Sequence, residues 1–383
     1  MKSFCSYFNQ GICRSCDLIT TDYSDQIRKK EAILLSALKS EGIPELLPTV
    51  LSPQKNFRNR AKLVVTGTLE KPVIGLWGEE NLDSGRELTE CDLHVKKINA
   101  ILPLIKEFIT LAQLRPYEIS SRKGELKGII LFHSECSGET YLRFILRSKE
   151  SIDRIKKHHA LLLSEINHLR CISVNIQPIP HALLEGEEEI FITENHFITN
   201  KIGTINFFLG PKAFVQTNQF IADKLYSCAA QWIKEAGTKN FMELFCGQGA
   251  FSFFAAPFIQ KGMGIEINSD AVAIASDTAT RLHFPHLKFK TADAGRVLDE
   301  MIDFSPDLLL VNPPRRGIAE TAELILKIKP SRLIYSSCHS ESLAADIKKL
   351  SSCYDIKRVQ IFDMFPQSSH FETLVELKLT TVD

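Results

Sequence analysis

Hydrophobic and polar positions change their rhythm near residue 207 of this 383-residue chain. Before that point strands and helices do not alternate regularly. Residues 24–39 carry Ile27, Ile33, Leu34 and Leu38 at helical spacing, with Ser24 or Asp25 placed to cap a helix. Short β-rich runs follow at 62–66, 72–77, 128–132, 141–147 and 171–177, interrupted by helical stretches at 95–111 and 151–166. Strands grouped in this way predict an α+β domain over residues 1–206, built on antiparallel sheet. From 207 to 383 the pattern becomes regular. Strand-like runs at 241–245, 262–265, 287–290, 307–311 and 332–336 are separated by helical periodicity, and a helix at 219–236 precedes them. Such alternation predicts right-handed crossovers and a doubly wound parallel sheet. The last two runs, 354–362 and 371–379, leave no room for a helix between them and predict an antiparallel edge.

The length agrees with two domains. Hydrophobic content of 44% and charged content of 24% are those of an ordinary soluble globular protein. No apolar run approaches bilayer length, and Met1-Lys2-Ser3-Phe4-Cys5 lacks the apolar core of a secretory signal. Ten cysteines without such a signal favour a reducing compartment, so a cytoplasmic location is expected. Net charge is zero, which removes any global electrostatic sign of nucleic-acid binding. Basic residues do cluster locally: Lys55, Arg58, Arg60 and Lys62, then Arg122, Lys123 and Lys127. A solvated charged surface would look the same.

The second half concentrates the chemistry. Residues 242–251, Met-Glu-Leu-Phe-Cys-Gly-Gln-Gly-Ala-Phe, end a strand and open a helix. Gly247 and Gly249 permit the tight turn and close approach that an adenosyl cofactor requires, and Glu266 ends the next strand, where a carboxylate can accept ribose hydroxyls. A dinucleotide loop would offer a third glycine. Ser252 stands there instead, and the acid Glu243 precedes the loop, repelling phosphate but attracting the amino group and sulfonium of S-adenosylmethionine. With the antiparallel edge, this predicts a Rossmann-like methyltransferase domain rather than a dehydrogenase. Asp293 is placed equally well to meet the adenine amino group or to cap a helix. Asn312-Pro313-Pro314-Arg315-Arg316 follows the 307–311 strand, at the carboxyl edge where such sheets bind ligands. Amino-group methyltransferases put an aromatic residue after Asn-Pro-Pro, and Arg315 argues against that chemistry. Cys338 closes the run Tyr335-Ser336-Ser337-Cys338. Most lone cysteines are small buried hydrophobes, but a thiolate at this edge could add to an electron-poor pyrimidine.

Five segments in this order resemble the RNA 5-methyluridine methyltransferase family over essentially the whole chain. They are Phe214-Val215-Gln216-Thr217-Asn218, Leu244-Phe245-Cys246-Gly247-x-Gly249, Asn312-Pro313-Pro314-Arg315-Arg316-Gly317, Tyr335-Ser336-Ser337-Cys338 and Asp363-Met364-Phe365-Pro366. Asparagine at 312, where most relatives carry aspartate, and the residues Gln248 and Ala250 depart from the common pattern. The resemblance implies that Cys338 adds to C6 of a flipped uracil, making C5 able to take a methyl group from S-adenosylmethionine. It implies Glu372 as the base that removes the C5 proton. Asn312 would accept from N3–H and donate to O4, while Gln216 and Phe245 join Gly247, Glu266 and Asp293 around the cofactor. The implied target is a uridine of 23S ribosomal RNA, position 747 in the branch without an N-terminal TRAM domain, and no TRAM domain is expected here. The first half would position RNA, read as loops with splayed bases, with Arg58, Arg60 and Arg122 as phosphate contacts. A monomer is expected, with neither DNA nor membrane as a partner.

Cys5, Cys13 and Cys16, with Cys91 downstream, could hold zinc or a [4Fe–4S] cluster, and spacing does not separate the two. The resemblance favours iron–sulfur, with the structural task of tying the amino terminus to the loop carrying Cys91. Cys136, Cys171, Cys228 and Cys353 are expected to pack in cores. Two alternatives stand beside this reading: the same chemistry on another ribosomal or a transfer RNA uridine, or a non-catalytic iron–sulfur RNA-binding protein in which Cys338 is inert.

Overall fold

Buried apolar side chains gather around Leu63, Ile129 and Phe144 in one part of the chain and around Leu244, Leu309 and Val375 in another. The computed structural model describes residues 3–78, 83–180, 185–213 and 215–380; Phe214 of the first resemblance segment lies outside them. The chain forms two compact units, one of Met1–Thr20, Pro53–Lys201 and Asn206–Lys212, the other of Thr21–Ser52, Ile202–Ile205 and Ala213–Asp383. Among the described residues no helix is long and apolar enough to cross a membrane.

The first unit holds a seven-stranded sheet in the order Gly85–Glu87, Pro72–Trp77, Arg60–Gly67, Leu126–His133, Thr140–Leu146, Leu169–Ile176, Glu188–Phe191. Side chains two residues apart share a sheet face. Leu63 and Val65, Ile129 and Leu131, Leu142 and Phe144 accordingly meet the apolar sides of the Lys96–Leu111 and Ile152–Glu165 helices in one core. Each such fully buried aliphatic side chain contributes about 1.5–3 kcal/mol relative to exposure. Pairing is antiparallel throughout this sheet, as expected, except between Thr140–Leu146 and Leu169–Ile176. Those two are parallel because the Ile152–Glu165 helix crosses between them.

The second unit holds eight strands in the order Leu46–Val50, Tyr354–Phe362, Glu372–Leu379, Arg332–Ser337, Leu308–Val311, Asn240–Leu244, Lys261–Glu266, Leu287–Thr291. Glu372–Leu379 alone runs antiparallel to its neighbours. The sheet is the doubly wound one expected, with two corrections. Its antiparallel strand is internal, because Leu46–Val50 pairs parallel with Tyr354–Phe362 and takes the edge. The helix expected at 24–39 forms as Tyr23–Ala37 but belongs to this unit, not to the amino-terminal domain. Leu34 and Leu38 are wholly buried in the second core, whereas Ile33, expected on the same apolar face, is 40% exposed.

Parallel strands end at one edge, so Leu244, Glu266, Val311 and Ser337 present their following residues together. An antiparallel strand begins where its parallel neighbour ends, which brings the first residue of the odd strand, Glu372, to that same edge. The loop after Val311 is held from below by Asp346, whose Oδ2 accepts from the Ile318 amide at 2.8 Å and the Tyr335 hydroxyl at 2.8 Å. Gly317 has φ +85°, and a Cβ there would lie 2.2 Å from Asp346 Oδ2. Gly317→Ala should therefore destabilise this unit by about 1–3 kcal/mol, read as a lower denaturant midpoint; an unchanged midpoint would refute the contact.

Candidate active site

The loop after Asn240–Leu244 is built from unusual backbone. Phe245, Gly247 and Gly249 all have positive φ, at 59°, 53° and 80°. A non-glycine residue in that region is uncommon and concentrates at functional sites, so Phe245 marks the loop as more than a connector. Gly249 is required by packing: a Cβ there would lie 2.6 Å from the Phe289 ring. Cys246 is buried beneath the loop, as expected of a packing residue. Glu266 reaches back to the loop, its Oε2 accepting from the Gly247 amide at 3.0 Å and its Oε1 from the Asn268 amide at 2.9 Å. Ile267 beside it is 70% exposed, an apolar platform that no motif flagged.

Glu243 is turned inward to Ser252. It is buried, its Oε2 accepts from the Ser252 amide at 2.9 Å and from the Ser252 hydroxyl, and burial pushes it up to about 8. Its carboxyl caps the short Ala250–Ala255 helix from below, and serine replaces the third glycine because its hydroxyl completes that cap. The argument from charge at Glu243 is thus corrected. The argument from Ser252 stands on different chemistry.

Register places the thiol and the carboxylate together. Ser337 pairs with Thr373, so one step outward Cys338 faces Glu372. Cys338 is half-buried and precedes the Ser340–Leu350 helix, whose N-terminus favours negative charge. Burial and the charge of Glu372 raise its thiol, and the Arg315 guanidinium lowers it. Arg315 enters the sequence reading as part of the Asn-Pro-Pro segment and as evidence against amino-group chemistry; its proximity to the thiol could not be read from spacing. Glu372 is buried, which pushes it up to about 8, and a hydrogen bond from the Gln216 side chain opposes that shift. Gln216 therefore meets the carboxylate directly. Asn312 is half-buried and its backbone N–H donates to the Leu244 carbonyl at 3.3 Å, bringing the Asn-Pro-Pro turn beside the glycine loop. Asp293 caps the Ala294–Arg296 turn, accepting from the Gly295 amide at 3.0 Å.

In the first unit the thiol of Cys16 is pushed up to about 12 by burial and by Cys91, Cys13 and Cys5, so all four cysteines lie in one neighbourhood. Tyr7 accepts from the Thr89 and Glu90 amides at 3.2 Å and Arg86 donates to the Ile12 carbonyl at 3.2 Å, tying the amino terminus to the segment that carries Cys91. Among the described residues no group of three or more His, Cys, Asp or Glu is arranged to hold a metal ion. Of the arginines expected to meet phosphate, Arg122 is exposed, Arg60 is only 8% exposed, and Arg58 lies beside Cys91 and Cys16. Cys171 is buried and Cys228 and Cys353 half-buried, but Cys136, expected in a core, is exposed in a hairpin turn.

A model of the tRNA (uracil-5-)-methyltransferase family matches residues 22–380. The chain belongs to this family. It is an S-adenosylmethionine-dependent RNA (uracil-C5)-methyltransferase. The 23S rRNA (uracil(747)-C(5))-methyltransferase of Haemophilus influenzae (strain 86-028NP) is 39% identical over 385 residues, covering 98% of each chain. The enzyme of that name from Shewanella amazonensis is 39% identical over 372 residues, covering 97% of this chain and 96% of its own. The fold is shared with the Pyrococcus abyssi tRNA (uracil-54, C5)-methyltransferase, solved in complex with S-adenosyl-L-homocysteine. That likeness has TM-score 0.78 at 22% identity and covers 96% of this chain and 86% of the other.

The placement of the methyltransferase's thiol between an acid and a base has a direct readout. Alkylation of Cys338, followed against pH by peptide mass spectrometry, should require a higher pH in Arg315→Ala and a lower pH in Glu372→Gln. Coincident profiles would separate the thiol from both groups.

Proposed function

We infer that this enzyme methylates C5 of one uridine in 23S ribosomal RNA, the counterpart of the position named for its relatives, through a covalent bond between Cys338 and C6. The observation that carries this reading is the register that sets Cys338 against Glu372, with Arg315 beside the thiol. Identity of 39% over nearly the full length supports the ribosomal target.

Uracil C5 is too weak a nucleophile to take a methyl group unaided. Attack of the Cys338 thiolate on C6 pushes electrons toward C5 and O4, and Arg315 favours the thiolate form. Asn312 holds the ring by accepting from N3–H and donating to O4, whose negative charge grows as sulfur adds. Glu266, Gly247, the Phe245 backbone and Ile267 would hold S-adenosylmethionine, which would supply the methyl group. Glu372 then removes the C5 proton and the thiolate departs. Its raised pKa suits a group that must accept a proton near neutral pH and release it again. Arg122 is the phosphate contact best placed by exposure; Arg58 acts on the cysteine site.

Cys5, Cys13, Cys16 and Cys91 hold a [4Fe–4S] cluster in this reading. Their convergence on Cys16 supports it, and an all-sulfur donor set suits iron–sulfur chemistry. The cluster fastens the amino-terminal segment, and no step of methyl transfer passes through it.

RNA carrying 5-fluorouridine tests the chemistry, because fluorine cannot leave as a cation. The wild-type enzyme should form a denaturation-resistant adduct, and Cys338→Ala should form none, with turnover reduced at least about 10³-fold. An adduct that survives Cys338→Ala refutes the nucleophile. Repeating the assay with transfer RNA and methyl mapping of ribosomal RNA from cells lacking the gene separates the substrates. Anaerobically purified protein should contain iron and acid-labile sulfide in the ratio of a [4Fe–4S] cluster, and Cys91→Ser should lose both; zinc in place of iron would overturn this assignment.

A further inference from the structure

The Tyr23–Ala37 helix lies far from the catalytic strands in sequence, yet three of its residues are directed at one turn. Tyr23, Gln26 and Lys30 stand three and four residues apart, a spacing that aligns them on one helix face. That face is polar where a core-facing side would be apolar. Lys30 is wholly buried and forms an ion pair with Asp363, also wholly buried, at 2.5 Å; its ammonium donates as well to the Phe365 carbonyl at 3.0 Å. Tyr23 donates to the other Asp363 oxygen at 2.7 Å and accepts from the Ser52 amide at 2.9 Å. Gln26 grips Gln367 twice, accepting from its backbone amide and donating to its side-chain oxygen, each at 2.9 Å. Gln367 has φ +69°, a strained conformation for glutamine that this grip holds. Asn218 also donates to the Met364 carbonyl at 3.2 Å and to Ser52 Oγ at 2.7 Å, two residues beyond Gln216, which itself meets Glu372.

Residues 363–371 connect Phe362 to Glu372, which face one another in register. The turn is therefore the only covalent approach to Glu372 from its amino-terminal side. A buried ion pair is a poor source of net stability, because desolvating both charges offsets their attraction. Its geometric specificity is the better reason for burying one here.

Resting on the reading of Glu372 as the base, we propose that Tyr23, Gln26 and Lys30 are positioning residues for proton removal, clamping residues 363–367 so that Glu372 meets the C5 proton opposite Cys338. At that step C5 bears both the new methyl group and its original proton, and C6 is bonded to sulfur. The Glu372 carboxylate takes the proton, the C5–H electron pair becomes the C5–C6 double bond, and the C6–S bond breaks with its electrons leaving on Cys338 as thiolate. The clamp acts on this step and not on thiol addition or methyl transfer, because Cys338 and Asn312 hang from other strands.

The steps separate experimentally. Full-length enzyme is given transcribed 23S ribosomal RNA, either with uridine or with 5-fluorouridine. Fluorouridine adduct formation reports addition and methyl transfer, while turnover on uridine RNA also requires proton removal. Gln26→Ala and Tyr23→Phe should lower turnover at least about tenfold with KM unchanged, form the fluorouridine adduct within about twofold of the wild-type rate, and accumulate a methylated adduct on uridine RNA. Glu372→Gln should show the same accumulation and serves as the benchmark. Lys30→Met strands Asp363 as a lone buried charge and threatens folding, so the two milder variants decide the matter. Turnover and fluorouridine adduct falling in parallel, or turnover unchanged, overturns the proposal. Wild-type enzyme that forms no fluorouridine adduct, or Glu372→Gln that accumulates none on uridine RNA, overturns instead the reading on which it rests.

Discussion

Antiparallel pairing of Glu372–Leu379 against Arg332–Ser337 is the constraint from which the site follows. A wholly parallel sheet would present only strand ends at its carboxyl edge, and the start of the final strand would lie on the far side. Reversing one strand brings a carboxylate to the edge where the thiol already stands. The β-pleat then fixes the pairing, since a slip of one residue would turn one of the two side chains to the other face and part them. Low local dielectric does the rest. It keeps Glu372 near neutrality, and Arg315 offsets part of the cost of a thiolate beside it.

Carboxyl groups away from the chemistry serve as anchors in this unit. Asp346 holds the turn that follows Asn312 and Asp363 holds the turn that leads to Glu372, each with a tyrosine hydroxyl among its donors. Glu243 does the same for the glycine loop through Ser252. Three loops of this unit thus each rest on a buried acid. Hydrogen bonds to buried carboxyl groups are more directional than apolar packing, which suits loops that carry little core of their own.

Much of this architecture was legible in the order of residues. The alternation after 207 marked the doubly wound sheet, and Gly247 and Glu266 marked a loop and a strand end that a hydrogen bond joins at its carboxyl edge. What escaped was set by contacts between distant segments. The Tyr23–Ala37 helix was visible as a helix, but its partnership with the second unit depends on Lys30 meeting a residue 333 positions away. Leu46–Val50 lies outside the strand-like runs read from the pattern; it contains Pro48, a residue tolerated at a sheet edge, where this strand lies. Glu243 was assigned by charge alone, which says nothing about whether a side chain points to solvent or inward. Arg315 shows the converse, since a residue noted for what it excluded stands beside the thiol.

The strand at Leu46–Val50 has a practical consequence for dissecting the molecule. It covers the open flank of Tyr354–Phe362 with main-chain bonds supplied from the other end of the polypeptide. A fragment beginning at residue 207 would retain Asn312, Cys338 and Glu372, yet leave that flank bare, a row of unmet amides and carbonyls ready to recruit another chain. Such a fragment is expected to self-associate. Any attempt to isolate the catalytic half needs to carry residues 21–52 with it, joined by a linker or added as a separate peptide.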